Sequence, residues 1–506
     1  MWMQDEERQL AECIARLAYA NPFLPERIDC EREILGSEFA AERRFWHVDQ
    51  GSEHVGAIQA RVEPLVEALG DRLRAGERPS ASELRLYRDV VLYWVYNRYE
   101  ADFLGLVERQ DHGTRRVGFY PRFAADYERV VDLAGGFEGE TGVEHMFAFF
   151  FQVRRAFHLI FRQIYGGSEP VARLRASVWQ SVFTHDMRRA RRSLFRRMGD
   201  VTTLITGPSG TGKELVARAV GFSRYIPFDS ERQAFTEDFE SSFYPLNLSA
   251  LSPTLIESEL FGHRRGAFTG ALEDRPGWLE ACPPLGTIFL DEIGEIDSTI
   301  QVKLLRVLET RTFQRLGDTR DRPFQGKIVA ATNRDLAREM ERGTIRTDFY
   351  YRLCSDRIET PSLADQVTDA PGEFRSLIER LALRAVGEDE ARSLTDETLA
   401  WIRAEMGLDY PWPGNVRELE QCVRNVMIRG RYDAQPVARS GSAGRLEALL
   451  AESRLSLPEL ETLYIQTVYS DAGTYQAAAR RLGIDRRTVK AKLLRDSPSG
   501  PRGQAN

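Results

Sequence analysis

A glycine-rich loop between a strand-like run and a helical segment constrains the fold of this chain more than any other feature. Residues 202–206 are strand-like, residues 207–213 read Gly-Pro-Ser-Gly-Thr-Gly-Lys, and residues 213–220 have a helical pattern. Glycines let backbone N–H groups converge on phosphates, and the helix N-terminus adds partial positive charge. Residues 287–292, Thr-Ile-Phe-Leu-Asp-Glu, form a second apolar run that ends in two carboxylates. This order predicts a phosphate-binding α/β domain with a parallel sheet.

The alternation of strand and helix continues through residues 177–430, which predicts one α/β domain. From about residue 377 the pattern becomes helical, so residues 377–430 are expected to form a small lid. The candidate strands are 202–206, 244–247, 287–290 and 327–332, and the candidate helices are 213–220, 253–261 and 300–309.

Residues 1–170 are predicted to form a mostly helical domain, because apolar positions recur at three and four residues in 57–73 and 82–108. The acidic pair and later lysine of a phosphorylatable receiver domain are not found. Two interpretations stay open, namely a packing scaffold or a control module for an unknown ligand or protein. The apolar stretch 146–165 contains three arginines, which are costly in a bilayer, and therefore predicts a core or interface helix.

Composition narrows the class of protein. At 506 residues the chain should hold about two to four domains. The net charge of -7 means that any DNA contact must use a local basic surface. Five separated cysteines without a CxxC pair, and histidines without ligand spacing, argue against structural zinc and disulfides. The acidic N-terminus lacks a signal-peptide pattern, so we expect a cytoplasmic protein without a membrane span.

The two motifs supply candidate residues for nucleotide chemistry. Asp291 can hold magnesium, and Glu292 is then placed to polarise an attacking water. Asn333 ends the next apolar run, which puts its amide near the same phosphate in a parallel sheet. Position 214 is glutamate, so the usual hydroxyl ligand of magnesium is missing. The candidate phosphate-binding residues are Gly207, Pro208, Ser209, Gly210, Thr211, Gly212, Lys213 and Glu214.

A second loop lies between the two phosphate motifs. It consists of Gly266, Ala267, Phe268, Thr269, Gly270 and Ala271, hereafter the 266–271 loop. This small loop is bounded by glycines and is expected to carry one exposed aromatic side chain. This loop has no role in binding or cleaving phosphate. We expect that the phosphate chemistry of the domain moves it.

These segments resemble the sigma-54-dependent transcription activators, or bacterial enhancer-binding proteins, of the AAA+ class. The resemblance covers about residues 177–430 and 456–495, and its most specific motif is the 266–271 loop. Further matching segments are 259–263, 290–295, 331–336, 348–353 and 410–419. The chain departs from the pattern at residues 360–366, in a longer segment 221–243, and at Arg264 and Arg265, where an acidic residue is common.

The resemblance implies roles for individual residues, with ATP and Mg²⁺ as cofactors. Asn247 would hold Glu292 inactive until nucleotide is sensed, and Asn333 falls in the first sensor motif. Arg346 and Arg352 would act on the nucleotide of a neighbouring subunit, which requires a homo-oligomer, usually a hexamer. Arg417 would be the second sensor, on the lid. The 266–271 loop, through Phe268 and Thr269, would contact sigma-54 RNA polymerase.

Residues 456–495 are predicted to form a DNA-binding helix-turn-helix after a linker at 431–455, and residues 496–506 to form a disordered tail. Thr474 and Asp485 are candidate N-caps, Gly483 supplies the turn, and Ala478, Leu482, Ile484, Val489 and Leu493 can form a core. The unit resembles Fis-type modules, which dimerise, so helix 457–470 would pair with its twin. The candidate DNA contacts are Arg486, Arg487, Thr488, Lys490 and Lys492.

The sequence therefore predicts an ATP-driven activator that remodels the sigma-54 polymerase at promoters while bound to upstream double-stranded DNA. The alternative is a DNA-binding repressor that kept a degenerate ATPase domain. The intact loop, the two acidic residues and the two arginines favour the first interpretation.

Overall fold

The computed structural model describes residues 2–39, 53–109, 116–131, 142–238, 243–407, 410–433, 460–462, 464–466, 468 and 475–495. The chain divides into two compact units, Met1–Arg431 and Tyr432–Asn506. Most of the predicted linker, the predicted N-cap Thr474 and the predicted tail lie outside the described residues.

The described residues before the first strand are helices and their connections, which confirms the predicted helical N-terminal region. A capping box at Ser80 and Glu83 begins one of these helices, and prolines stand in the first turn of two others. The helices are α1 (Asp5–Leu17), α2 (Pro25–Leu35), α3 (Glu53–Arg74), α4 (Ala81–Arg98), α5 (Glu100–Glu108), α6 (Tyr120–Val131), α7 (Val143–Gln163), α8 (Glu169–Phe183) and α9 (Met187–Arg189).

A five-stranded parallel sheet forms the centre of the first unit and confirms the predicted α/β class with a parallel sheet. The strands are β1 (Thr203–Thr206), β4 (Phe243–Asn247), β7 (Thr287–Asp291), β10 (Lys327–Thr332) and β11 (Asp356–Glu359), in the spatial order β11-β1-β10-β7-β4. Four strands were predicted from their apolar runs. Strand β11 was not predicted, because three of the four residues in its sequence Asp-Arg-Ile-Glu are charged and only Ile358 is apolar.

Alternate residues of the strands enter two different cores. Ile328 and Ala330 of β10 belong to one hydrophobic cluster, and Val329 and Ala331 belong to the other. The second cluster also contains side chains of α7, α8 and the helix after β1, α10 (Lys213–Phe222). The N-terminal helices therefore share one continuous core with a face of the sheet.

Helix α7 is the centre of this shared core. It buries Met146, Phe147 and Phe151 as well as Arg154 and Arg155. The predicted core or interface helix at 146–165 is thus confirmed. Among the described residues, no helix is long and apolar enough to span a bilayer.

The long segment 221–243 provides part of the contact between the N-terminal helices and the sheet domain. It contains the hairpin of β2 (Phe228–Asp229) and β3 (Ala234–Phe235). The rings of Phe228 and Phe235 lie 4.5 and 6.1 Å from the ring of Phe147. The N–H of Val117 donates to the carbonyl of Gln233. The departure from the family pattern at 221–243 therefore fastens the N-terminal helices to the sheet domain.

The opposite face of the sheet carries the remaining helices and two hairpins. Three-residue 3₁₀ turns follow β4 and β7. The elements are α11 (Pro253–Phe261), β5 (Gly262–His263), β6 (Arg275–Pro276), α12 (Trp278–Ala281), α13 (Ser298–Thr310), β8 (Thr312–Phe313), β9 (Arg322–Pro323), α14 (Leu336–Glu341) and α15 (Thr347–Leu353).

Helices also follow the last strand, as the predicted lid requires. They are α16 (Leu363–Asp369), α17 (Glu373–Val386), α18 (Glu388–Trp401) and α19 (Asn415–Arg429). In the second unit, α20 (Tyr475–Leu482) and α21 (Arg486–Arg495) enclose a turn at Gly483, whose φ is +67°. Ala478 and Ala479 pack there with Ile465, Val468, Leu482 and Ile484.

Candidate nucleotide site and the loops attached to it

The glycines of the phosphate loop permit close contacts that a side chain would block. Gly207 and Gly210 have φ values of +144° and +79°. A Cβ on Gly207 would lie 2.1 Å from Oγ1 of Thr360, and one on Gly210 would lie 2.2 Å from the carbonyl oxygen of Gly414. The loop is therefore closed in by the strand end after β11 and by the start of the lid.

Lys213 is buried at the first position of α10. Its Nζ donates to the carbonyl oxygens of Gly207 and Pro208, each at 3.1 Å. Burial lowers the pKa of the Lys213 ammonium, and the negative charges of Glu292 and Asp291 oppose this shift. The ammonium is thus held at the loop and faces the acidic strand end.

The two predicted carboxylates stand at the end of β7, beside the phosphate loop. Burial raises the pKa of the Asp291 carboxyl, while the N–H of Glu292 and the charge of Lys213 oppose the shift. Glu292 has a φ of +56°, which is uncommon for a residue with a side chain. Its Oε2 accepts a hydrogen bond from the N–H of Asn333 at 3.4 Å. The structure therefore brings Asp291, Glu292 and Asn333 together.

Asn247 lies next to Asp291 in the register of β4 and β7. Its Oδ1 accepts hydrogen bonds from the N–H and the hydroxyl of Ser249, at 3.0 and 2.8 Å. Within the described residues, no hydrogen bond joins Asn247 to Glu292. The implied restraint of Glu292 by Asn247 stays a prediction.

The lid contacts the phosphate loop through two side chains at the start of α19. Nη1 of Arg417 donates to Oγ of Ser209 at 3.1 Å. Asn415, which is buried, donates from Nδ2 to the carbonyl of Ser209 and accepts at Oδ1 from the N–H of Leu363. A role for Arg417 was predicted from the sequence, whereas the role of Asn415 was not, although both lie in the matching segment 410–419.

Thr360 is a second positioning residue that sequence reasoning missed. It lies in the divergent segment 360–366, and its side chain is buried. Its Oγ1 donates to the carbonyl of Thr206 and lies 2.7 Å from Oγ1 of Thr211. The divergent segment therefore contacts the phosphate loop directly.

Many of these groups line one cavity of about 450 Å³. Its lining includes the loop residues from Ser209 to Glu214, together with Asp291, Glu292 and Arg417. Residues at the end of α7 and on α8 line another side. This volume is typical of a pocket for a small molecule or cofactor.

The two arginines of the segment 346–352 lie outside this cavity's lining. Arg346 pairs with Asp348 at 2.7 Å, and Arg352 pairs with Glu309 at 3.4 Å. Both guanidinium groups are exposed. Their position leaves them accessible to another molecule.

The 266–271 loop is the tip of the hairpin formed by β5 and β6. The N–H of Gly266 donates to the carbonyl of Ala271, which closes the loop. The prediction that Phe268 is exposed was wrong, because its ring packs edge-on against His263 with centroids 5.0 Å apart. Leu272, just past the loop, is 80% exposed. Sequence reasoning missed it because it lies outside the glycine-bounded motif.

Polar tethers hold the base of this hairpin. Arg264 forms ion pairs with Asp274 at 2.6 Å and with Asp318 at 3.3 Å. Asp318 belongs to the loop between β8 and β9, and Leu316 of that loop exchanges backbone hydrogen bonds with Gly262 and Arg264. The departure from the family pattern at Arg264 therefore joins two neighbouring hairpins.

In the second unit, α21 begins at a capped turn. Oδ1 of Asp485 accepts the N–H of Arg487 at 2.7 Å, which confirms Asp485 as an N-cap. Arg486, Arg487, Thr488 and Lys490 are exposed. Lys492 is less exposed and pairs with Glu461. The side chains of Val489 and Leu493 lie outside the described part, so their predicted core role stays open.

Comparison with known proteins identifies the central domain. Residues 181–359 match the Sigma-54 interaction domain family. The chain is 38% identical over 303 residues to the transcriptional regulatory protein ZraR of Klebsiella oxytoca, which covers 58% of this chain and 64% of that protein. It is 41% identical over 304 residues to the Nif-specific regulatory protein of Azotobacter vinelandii, which covers 58% and 53%. The chain thus spans less than two thirds of the length of these relatives.

Among solved structures, the fold is similar to NtrX from Brucella abortus. The TM-score is 0.40 at 24% sequence identity, and the alignment covers 74% of this chain and 79% of the other.

Proposed function

We propose that this chain, whose residues 181–359 match the Sigma-54 interaction domain family, is an ATP-driven activator of sigma-54-dependent transcription. One observation carries the proposal. The phosphate loop, the acidic end of β7 and the lid arginine Arg417 line a single cavity, and the 266–271 loop projects from the same domain.

The residues of the cavity fit a nucleotide triphosphate. The space at Gly207 and Gly210, which a Cβ would fill, lets backbone N–H groups approach phosphates. Lys213 would exchange its two carbonyl partners for phosphate oxygens, and Arg417 would bind phosphate from the lid. ATP, when bound, supplies the phosphoanhydride bond whose hydrolysis drives movement.

The residues also fit Mg²⁺ in the form that phosphate sites use, with one or two carboxylates and the phosphates themselves. Asp291 would hold the metal ion, while Glu214 pairs with Arg218 on its own helix. Glu292 would take a proton from the attacking water, and its link to the N–H of Asn333 ties that base to the neighbouring strand.

The exposed arginines support a homo-oligomer, ordinarily a hexameric ring. Arg346 and Arg352 do not line the cavity of their own chain, and they would act on the cavity of a neighbouring subunit. A positive charge from the neighbouring subunit would stabilise the charge that develops on the transferred phosphoryl group. Hydrolysis would then depend on assembly.

The 266–271 loop and helix α21 would contact the polymerase and the DNA. The hairpin carrying the 266–271 loop would contact sigma-54 RNA polymerase through Phe268 and Thr269. The exposed basic side chains of α21 would bind double-stranded DNA upstream of the promoter. Such a protein acts in the cytoplasm.

The test separates ATP hydrolysis from the activation of transcription. Thr269→Ala should keep ATP hydrolysis within about twofold, because it is a surface change away from the nucleotide. It should abolish transcription from a sigma-54 promoter in a purified system. Thr319→Ala, an exposed threonine in the neighbouring hairpin, is the matched control and should preserve both activities.

Lys213→Ala should abolish hydrolysis and transcription together, measured on protein whose melting temperature is unchanged. Continued turnover in this variant would show that the nucleotide site is misassigned. Full transcription by Thr269→Ala would refute the role of the loop. DNA binding by a wild-type chain that never hydrolyses ATP would support the degenerate repressor instead.

A further inference from the structure

A second cavity, of about 530 Å³, lies where the N-terminal helices meet the sheet domain. We call it the junction cavity. It shares no lining residue with the nucleotide cavity. Its wall includes Gln152 of α7, Ser223 just after α10, and Lys327 at the start of β10. It thus lies at the edge of the sheet opposite Asn333, which follows the end of β10.

The charged side chains that line this cavity are mostly cationic. They are Arg196, Arg224, Arg311 and Lys327, against the single carboxylate of Asp200. Asp200 pairs with Arg311 at 2.9 Å, so its charge is already compensated. Asp356 and Glu237 act on Lys327 and Arg224 at a distance, but neither lines the cavity. The lining therefore keeps an excess of positive charge.

Two of these cations are strongly desolvated. Lys327 is 3% exposed, and burial lowers its pKa to about 7. Its Nζ donates to the carbonyls of Met198 and Val201. Burial lowers the pKa of Arg224 to about 10, and its guanidinium donates to the carbonyl of Gly286. Among the described residues, no ion pair neutralises Arg224 or Lys327. Carrying such charges inside the protein is costly unless a counter-charge arrives.

An unsatisfied acceptor faces the same space. Gln152 is buried, and its Nε2 donates to the carbonyl of Ser223 at 2.9 Å. Its Oε1 has no hydrogen-bond partner in the described part of the chain. Buried polar atoms are almost always paired, so this oxygen is a site for a donor from outside the chain.

The remainder of the wall is apolar. Val182, Phe195, Tyr225, Leu285 and Phe324 contribute to it. The combination of an apolar wall, a few convergent polar groups and a volume of this size is typical of small-molecule sites. Inorganic phosphate or sulfate would leave this apolar wall without a partner.

We propose that the junction cavity binds a small organic anion with an apolar body and at least one hydrogen-bond donor. The anionic group would lie against Arg224 and Lys327, and the donor against Oε1 of Gln152. This site is additional to the nucleotide site, and the proposal does not depend on ATP hydrolysis by the chain.

The probe for this site is 8-anilino-1-naphthalenesulfonate, titrated by fluorescence into the full-length protein with saturating MgADP. We expect saturable binding to one site per chain. Arg224→Met should weaken the affinity about tenfold, because it removes a charged partner of the sulfonate. Lys327→Met is a second variant. It removes the other cation proposed to contact the sulfonate and keeps a side chain of similar length. Melting temperatures establish that the variants are folded.

Two controls make the result specific. Arg375→Met removes an exposed arginine that pairs with Asp396 on the lid helices, and it should leave the affinity unchanged. N-phenyl-1-naphthylamine has the same rings without the sulfonate, and it should bind more weakly and equally to all variants. Wild-type affinity for the sulfonate in both folded charge variants would overturn the proposal. Absence of saturable binding in the presence of saturating MgADP would also overturn it, because the probe would then have no site outside the nucleotide cavity.

Discussion

The N-terminal helices and the hairpin of the 266–271 loop are attached to the same sheet domain by different forces. Phe147 of α7 contacts six other aromatic rings within 6.1 Å and is fully buried. Phe268 in the loop contacts one ring, that of His263, and is half-buried. Apolar burial accumulates with area, whereas exposed ion pairs such as those of Arg264 contribute little each. The first attachment is therefore the stronger of the two, and the second would cost less free energy to break.

Truncating one phenylalanine in each region gives the largest expected contrast. Phe147→Ala should lower the free energy of unfolding by about 3 to 5 kcal/mol, because it leaves a cavity in a closed core. Phe268→Ala should cost under about 1 kcal/mol, because its ring is partly exposed. Urea denaturation of the full chain measures both values. Equal losses would contradict the contrast between the two regions.

The buried carboxylate of Glu83 is a polar contact among the N-terminal helices, and it extends the comparison. Glu83 accepts hydrogen bonds from Ser80, from the N–H groups of Trp2 and Met3, and from Arg8. Glu83→Gln should cost about 1 to 3 kcal/mol at neutral pH, since these partners lose a charged acceptor. Glu67→Gln, an exposed carboxylate on α3, is the control and should have no effect.

The hydrogen bonds of the Glu83 carboxylate should also make the free energy of unfolding depend on pH. The hydroxyl and N–H of Ser80, the N–H of Met3 and the charge of Arg8 lower the pKa of Glu83 from 4.5 to about 2. Because the pKa is depressed in the folded state, the stabilisation is present above pH 4.5 and is lost as the pH falls toward 2. The difference between wild type and Glu83→Gln should therefore shrink between pH 6 and pH 3. A difference that stays constant with pH would exclude the charge as its origin.

The smallest effect on stability is expected at the base of the loop hairpin. Arg264→Ala removes exposed ion pairs and should leave the free energy of unfolding nearly unchanged. It should nevertheless speed amide hydrogen exchange at the 266–271 loop, because two neighbouring hairpins lose their shared tether. Arg265→Ala is the matched control, since its backbone N–H, which donates to Asp274, is retained. Unchanged exchange in Arg264→Ala would show that backbone hydrogen bonds alone hold the hairpin.

Local patterns predicted much of this molecule. The three inner strands and the edge strand β4 were visible as apolar runs, and the phosphate loop and the Asp291–Glu292 pair were visible as motifs. Strand β11 was hidden because three of its four residues are charged, so its sequence has no apolar pattern. Thr360 and Asn415 were missed because their roles depend on contacts with residues far away in sequence. The exposure of Phe268 was predicted wrongly because a loop motif does not reveal the neighbouring His263.

The N-terminal region shows the same limit at a larger scale. Helical periodicity at 57–73 and 82–108 predicted helices, and α3, α4 and α5 confirm them, with the second segment divided between α4 and α5. Periodicity identifies an apolar face but not the partner that covers it. The shared core with α10 and the sheet could not be inferred from residues 1–170 alone.

The β2–β3 hairpin determines how this chain can be divided. Phe228 and Phe235 are encoded after the phosphate loop, yet their rings pack against Phe147. A cut near residue 171 would strip both rings of their partners, and a fragment of residues 1–170 would uncover Phe147. The unit that can be exchanged between proteins is consequently discontinuous in the gene. A chimera that transplants the N-terminal helices must also transplant residues 221–238, or both halves will expose apolar surface and aggregate.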